Sequence, residues 1–185
     1  MSKDNTLEII NRYRHNISKL VSEKDQGMYD ALNKGITLAT GDIVGILNAD
    51  DVFASNNIVT EIGNSFKNSD ADAIIADVAF INKGGNIIRS YSAKHWNPNK
   101  FVWGFMPPHP SFYCKRALFS RFGLYRSDFH IAADYELLIR FIYKNKIKYI
   151  YLPLVMVLMN TGGKSTNGIK SNIVINKEIK YACEL

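Results

Sequence analysis

The chain has 185 residues, 46% of them hydrophobic and 22% charged, the balance of a folded globular protein and not of a disordered segment. Its formal net charge of +6 is spread thinly, without a Lys/Arg run dense enough for a nucleic-acid patch, so nucleic acid is set aside as a partner. The longest apolar stretch, residues 149–159, contains Pro153 and is too short to span a bilayer. The two cysteines, Cys114 and Cys183, have no metal-ligand spacing, and the polar N-terminus is no signal peptide, which predicts a cytoplasmic protein.

Taken in chain order, residues 6–14 read as a short helix with Leu7, Ile10 and Tyr13 on one face, and residues 17–22 as a strand. Residues 28–39 form a helix with Ala31, Leu32, Ile36 and Ala39 on its apolar side. Gly41 ends it before residues 43–47, a short apolar run that reads as a buried parallel strand. A helix over 56–66 follows. Residues 73–81 and 86–92 form paired strands around the turn Lys83-Gly84-Gly85. Residues 111–114 make a short strand, 116–122 and 133–143 helices, 148–159 an extended segment broken at Pro153, and 169–182 a closing amphipathic helix. Alternating strands and helices indicate one α/β domain over residues 1–185, with ligands at the carboxyl ends of its strands.

Five segments carry chemistry. The apolar strand around Gly45 ends abruptly in Asn48, Asp50 and Asp51, hard oxygen donors suited to a divalent cation that bridges a bound diphosphate. The same residues also suit a turn followed by a helix cap. Asp134 and Glu136 lie at the start of a helix, where a carboxylate is favoured and can act as a general base, or is simply a first-turn acid. Asn33 and Lys34 precede Gly35 and either reach a ligand or face water. The string Thr161-Gly162-Gly163-Lys164-Ser165-Thr166 can wrap phosphate or form an ordinary loop. His109 sits among Pro107, Pro108 and Pro110 in a stiffened loop. Basic residues between Lys144 and Lys180 make either a membrane- or phosphate-facing side or a solvated face.

Together these segments resemble the inverting glycosyltransferases of family 2, which have the GT-A fold, and among them bacterial enzymes of capsule, O-antigen and exopolysaccharide assembly. SEKDQGMYDALNKGITLATGDIVGILNADD resembles that family's central block, HPSFYCKRALFSRFGLY with IAADYELLIR its acceptor-side block, and NTGGKST the loop near its diphosphate. The resemblance implies a Rossmann-like mixed sheet flanked by helices. It implies a Mn²⁺ or Mg²⁺ ion on Asp50 with Asp51 beside it, and Asp134 as the base that deprotonates an acceptor hydroxyl. Asp25, Asn33 and Lys164 would line the donor site, and His109 and Glu136 the acceptor side. Asn48 stands where many members carry the first Asp of DxD, which removes one charge from the metal site.

The expected partners are a nucleotide-diphosphate sugar, read as a UDP-sugar, and a glycan or lipid-linked glycan acceptor met by peripheral contact with the inner membrane. The family's opening strand-helix-strand unit has no counterpart before Ser2-Lys3-Asp4-Asn5-Thr6. From this follow two expectations. The strand over 17–22 lacks its neighbour and is loose, pairs with another copy as a homo-oligomer, or closes onto a different strand. The alternative function is an inactive remnant, or a module that needs a separate N-terminal unit.

Overall fold

The computed structural model describes residues 2, 4–160 and 168–185. Among these the strands β1 (Ile43–Gly45), β2 (Val52–Phe53), β3 (Ala73–Ile81), β4 (Ile87–Tyr91), β5 (Tyr113–Lys115) and β6 (Tyr149–Asn160) form one mixed sheet. Its order is β1-β5-β3-β6-β2, and β4 pairs with the far half of β3. Only β3 and β6 run parallel to each other as neighbours; every other pairing is antiparallel. This pattern points β1, β3 and β6 the same way. β3 and β6 end together beside the start of β2, whereas β1 ends beside the start of β5, level with Ile74 near the start of β3, and the loop after β1 runs on to the end of β6.

β3 is the spine. Its side chains alternate between faces, as the two-residue period of a strand requires. Ala73 and Ile75 enter one core with Tyr29, Phe101, Tyr135, Leu138 and Phe141, while Ile74, Ala76 and Val78 enter a second with Ile58, Ile62, Met156 and Val157. The first core is covered by α2 (Met28–Leu38), α4 (Ala117–Phe122), α5 (Ala133–Leu138) and α6 (Gly168–Glu184), and the second by α3 (Ile58–Lys67). α5 continues as a π-helical turn over Ile139–Lys144. The β3–β4 hairpin closes where expected: Asn82 Oδ1 accepts from the Gly84 and Asn86 N–H groups at 2.9 and 3.1 Å, and Gly85 takes φ +78°. Pro153 cannot donate to a ladder. The β3–β6 register accordingly slips across it, from Ala76↔Leu152 to Asp77↔Val155.

Two expectations are corrected. Residues 17–22 form no strand: no sheet pairing includes them, and Val21 is exposed. A strand exists only with a partner, and the segment instead runs past α2, where Lys19 Nζ donates to Leu38 O at 2.5 Å. β1 is shorter than 43–47, lies at the sheet edge, and pairs antiparallel with β5, so of its residues only Val44 is buried. α1 (Thr6–Arg12) forms, but none of its residues is buried.

Candidate active site

β1 delivers the acidic loop. Gly45 faces Tyr113 so closely that a Cβ there would fall 1.9 Å from the Tyr113 ring, so only glycine lets the strand pass. Beyond it the Asp51 N–H donates to Asn48 O at 3.1 Å, and Asn48 Nδ2 donates to Asp51 Oδ2 at 2.9 Å. From the end of β6, Asn160 Nδ2 donates to the Asp50 carbonyl at 2.5 Å. The loop is thereby tied to two parallel strand ends, and its two carboxyls differ in environment. Asp50 is exposed, whereas Asp51 is only 6% exposed. Burial pushes the Asp51 carboxyl above its ordinary value; the Asn48 amide opposes this, the Asp50 charge adds to it, and His109 pulls it down.

This donor set fits a hard divalent cation. Two adjacent carboxylates, one of them held against the preference of its burial, leave negative charge that a cation would neutralise. Among the described residues no group of three His, Cys, Asp or Glu comes together, so protein ligands alone do not complete a shell. That suits Mg²⁺ or Mn²⁺, which use one or two carboxylates and fill the rest with water and phosphate oxygens.

The second half of the site is built around Asp134, half-buried in the first turn of α5, with Oδ1 accepting from the Tyr135 N–H at 2.9 Å. The loop before it is fixed from two distant helices. Glu178 of α6 accepts from the N–H groups of His130, Ile131 and Ala132 at 2.7, 3.0 and 2.8 Å. Tyr29 of α2 donates its hydroxyl to Ile131 O and accepts from the Ala133 N–H at 3.2 Å. The Tyr29 ring stacks on Tyr125 at 5.6 Å, and the Tyr125 hydroxyl shares a 2.9 Å hydrogen bond with His109 Nε2. Both phenols are held well above the usual tyrosine range, by burial first and next by the negative charge of Asp134. His109, Tyr125 and Tyr29 thus form one hydrogen-bonded and stacked group, which reaches the backbone just before Asp134 through the Tyr29 hydroxyl. Ser111 anchors the His109 turn: its buried Oγ accepts from the Ala76 N–H at 3.1 Å.

The remaining candidates fall differently. Asn33 is committed to the Tyr125 backbone, donating to its carbonyl at 2.8 Å and accepting from its N–H at 2.9 Å, so it stitches α2 to the Tyr125 loop. Asp25 is 2.9 Å from Lys34 Nζ, which also meets Glu23 and Asp30; these three carboxylates hold the Lys34 ammonium above its ordinary value. Glu136 is buried and bidentate with Arg140, at 2.8 and 2.7 Å, while that guanidinium also donates to the carbonyls of Phe122, Gly123 and Leu124. Its carboxylate is therefore paired inside the fold. Lys164 lies outside the described residues. Sequence reasoning missed Tyr29, Tyr125 and Glu178, whose partners are far away in sequence and leave no local pattern.

The glycosyl transferase family 2 model matches residues 1–129. The chain belongs to glycosyl transferase family 2. Over 184 residues, 96% of this chain, it is 26% identical to the PGL/p-HBAD biosynthesis glycosyltransferase of Mycobacterium bovis, and it spans 67% of that relative's length. It superposes on Staphylococcus aureus TarS residues 1–349 in complex with UDP-GlcNAc with a TM-score of 0.71, at 14% identity, covering 98% of this chain and 54% of that one. The mannosyltransferase PcManGT of Pyrobaculum calidifontis, in complex with GDP-Man and Mn²⁺, gives a TM-score of 0.59 at 19% identity over 90% of this chain and 46% of that one. The family-2 chain thus has the GT-A fold, a mixed α/β sheet with flanking helices, and spans about half the length of these structures. Among its described residues no helix is long and apolar enough to cross a membrane.

Proposed function

We propose that the chain is a single GT-A domain of an inverting glycosyltransferase that moves a sugar from a nucleotide-diphosphate sugar to a hydroxyl of a glycan or lipid-linked glycan. The observation that carries this reading is an acidic loop, Asp50-Asp51, held at the end of β6 by Asn160, beside a separate carboxylate, Asp134, whose loop is fixed by Glu178 and Tyr29. The first is suited to a diphosphate and the second to an acceptor. In the proposed step the acceptor oxygen attacks the anomeric carbon, its proton passes to Asp134, and the bond from that carbon to the diphosphate oxygen breaks. One displacement inverts the configuration and needs one carboxylate at the reacting face. A divalent cation on Asp50, backed by Asp51, would supply positive charge for the leaving diphosphate. The nucleotide is read as UDP because TarS, the neighbour of higher TM-score, holds UDP-GlcNAc. The work is placed on the cytoplasmic side of a membrane.

Asp134→Asn tests the assignment. The amide cannot take the proton, so turnover should fall by roughly 10²–10⁴-fold while UDP-GlcNAc affinity, read by calorimetry with Mn²⁺, stays within twofold. Turnover within a few-fold of the parent would remove Asp134 from the mechanism.

A further inference from the structure

The loop between β4 and β5 carries an exposed aromatic group that has no role in the transfer step proposed above. Trp103, in the 3₁₀ turn Pro98–Trp103, is 76% exposed, and Phe105 is 57% exposed. With Tyr91 and Trp96 they line an open cavity of about 440 Å³, bordered by His95 and Lys100. Large aromatics cost free energy when left in water, and a group of them at one spot marks a docking surface.

The polar handles of this group are already taken. Trp96 Nε1 donates to Phe105 O at 3.1 Å, and the Tyr91 hydroxyl donates to Met106 O at 2.5 Å. A neutral sugar stacked there would have its hydroxyls held only from the border, by Ser92, His95 and Lys100. The charge around the group points elsewhere. Lys100 and His95 border the cavity itself, and in the sequence around it Lys83, Arg89, Lys94 and Lys100 occur with no Asp or Glu between Asp77 and Asp128. None of these four cations forms a salt bridge with a described residue. Asp77 itself is half-buried and accepts from the Ala93 N–H and the Tyr151 hydroxyl, so it does not face them.

We infer that the Trp103–Phe105 loop is a docking surface for an anionic lipid bilayer, the aromatics entering the headgroup boundary and Lys94 and Lys100 meeting lipid phosphates. Tryptophan is suited to this depth, having a large apolar ring with one polar edge. Near an anionic surface each lysine contributes about fivefold in affinity. The inference does not depend on the catalytic assignment, because vesicle binding is read without donor or acceptor.

The test is co-sedimentation of the chain with vesicles of phosphatidylcholine alone and of phosphatidylcholine with one quarter phosphatidylglycerol. Binding is expected only to the anionic vesicles, weakened by salt, with a blue shift of tryptophan emission. The Trp103→Ala/Phe105→Ala double variant should lose at least tenfold in binding and most of the blue shift. Lys94→Gln/Lys100→Gln should lose roughly tenfold or more while keeping its circular dichroism spectrum. Equal binding to both vesicle types, no binding to either, or binding unchanged by both double variants would overturn the proposal. So would sedimentation velocity showing a dimer that Trp103→Ala dissolves, since the surface would then belong to a second copy.

Discussion

Asp51 shows how one residue can be placed against its own stability. Its carboxyl is raised above the ordinary aspartate value, first by burial and further by Asp50. A raised folded value means that the fold prefers the protonated acid. The contribution to stability is complete below the unfolded value of about 3.9 and is lost as pH rises through the folded value. At neutral pH without a cation, the buried charge is therefore a net cost. Asp51→Asn keeps an oxygen to accept from Asn48 and removes that charge. We expect the variant to melt higher than the parent at pH 7 in chelator, and the difference between the two melting curves to vanish towards pH 3. Scanning calorimetry across that range decides the matter, since a variant that melts lower at pH 7 would mean that attraction to His109 outweighs burial. Added Mn²⁺ should narrow the gap by stabilising the parent alone, because binding to the folded state raises its melting point.

Among the elements, α6 has a role that its sequence conceals. Periodicity makes residues 169–182 an ordinary closing helix, and nothing local marks Glu178. In three dimensions its carboxylate accepts three consecutive backbone N–H groups just before Asp134. A carboxylate at that position also faces the positive end of α5. Glu178→Ala leaves those donors to water or to nothing, at a cost of roughly 2 kcal/mol, or a fall of about 4–8 °C in melting temperature. If the clamp positions Asp134, turnover should fall further than donor affinity, and Glu178→Asp should recover less than half of it, since the shorter side chain cannot span all three groups. Turnover proportional only to the folded fraction would make Glu178 purely structural. The contrast with the β3–β4 hairpin explains what a sequence reveals. The hairpin is written locally, in Lys83-Gly84-Gly85 between two apolar runs, and the acidic loop likewise in Asn48-Ala49-Asp50-Asp51. Tyr29, Asn33 and Glu178 act across separations of 46 to 104 residues, and Tyr125 meets His109 at 16 and Asn33 at 92, where no period or turn rule reaches.

At the scale of the molecule, order is unevenly distributed, and that too was partly legible. A strand over residues 17–22 was expected from its apolar pattern, but the pattern could not supply the neighbour that a strand requires. The structure leaves that segment without a ladder, leaves α1 without a buried residue, and leaves one side of β1 unpaired among the described strands. β3 is the opposite case. Ala73, Ile74, Ile75 and Ala76 are all at 0% exposure, with β6 on one side and β5 and β4 on the other. Backbone amides exchange with solvent only when their region opens, and opening free energies run from near zero in frayed segments up to the global value in the core. Hydrogen exchange should therefore rank the chain sharply. Amides of residues 6–25 should exchange within seconds at neutral pH, and those of β3 only through global unfolding, slower by roughly 10⁴-fold or more for a domain of ordinary stability. Protection of residues 18–22 comparable to β3 in a dilute sample would contradict the structure. Repeating the measurement at tenfold higher protein concentration addresses the free edge. An unpaired edge is a template for another strand, so if copies of the chain associate there, protection of β1 and of residues 18–22 should rise together with concentration while β3 stays unchanged. If only β3 and the helices are protected at both concentrations, the edge remains open and the homo-oligomer expectation fails.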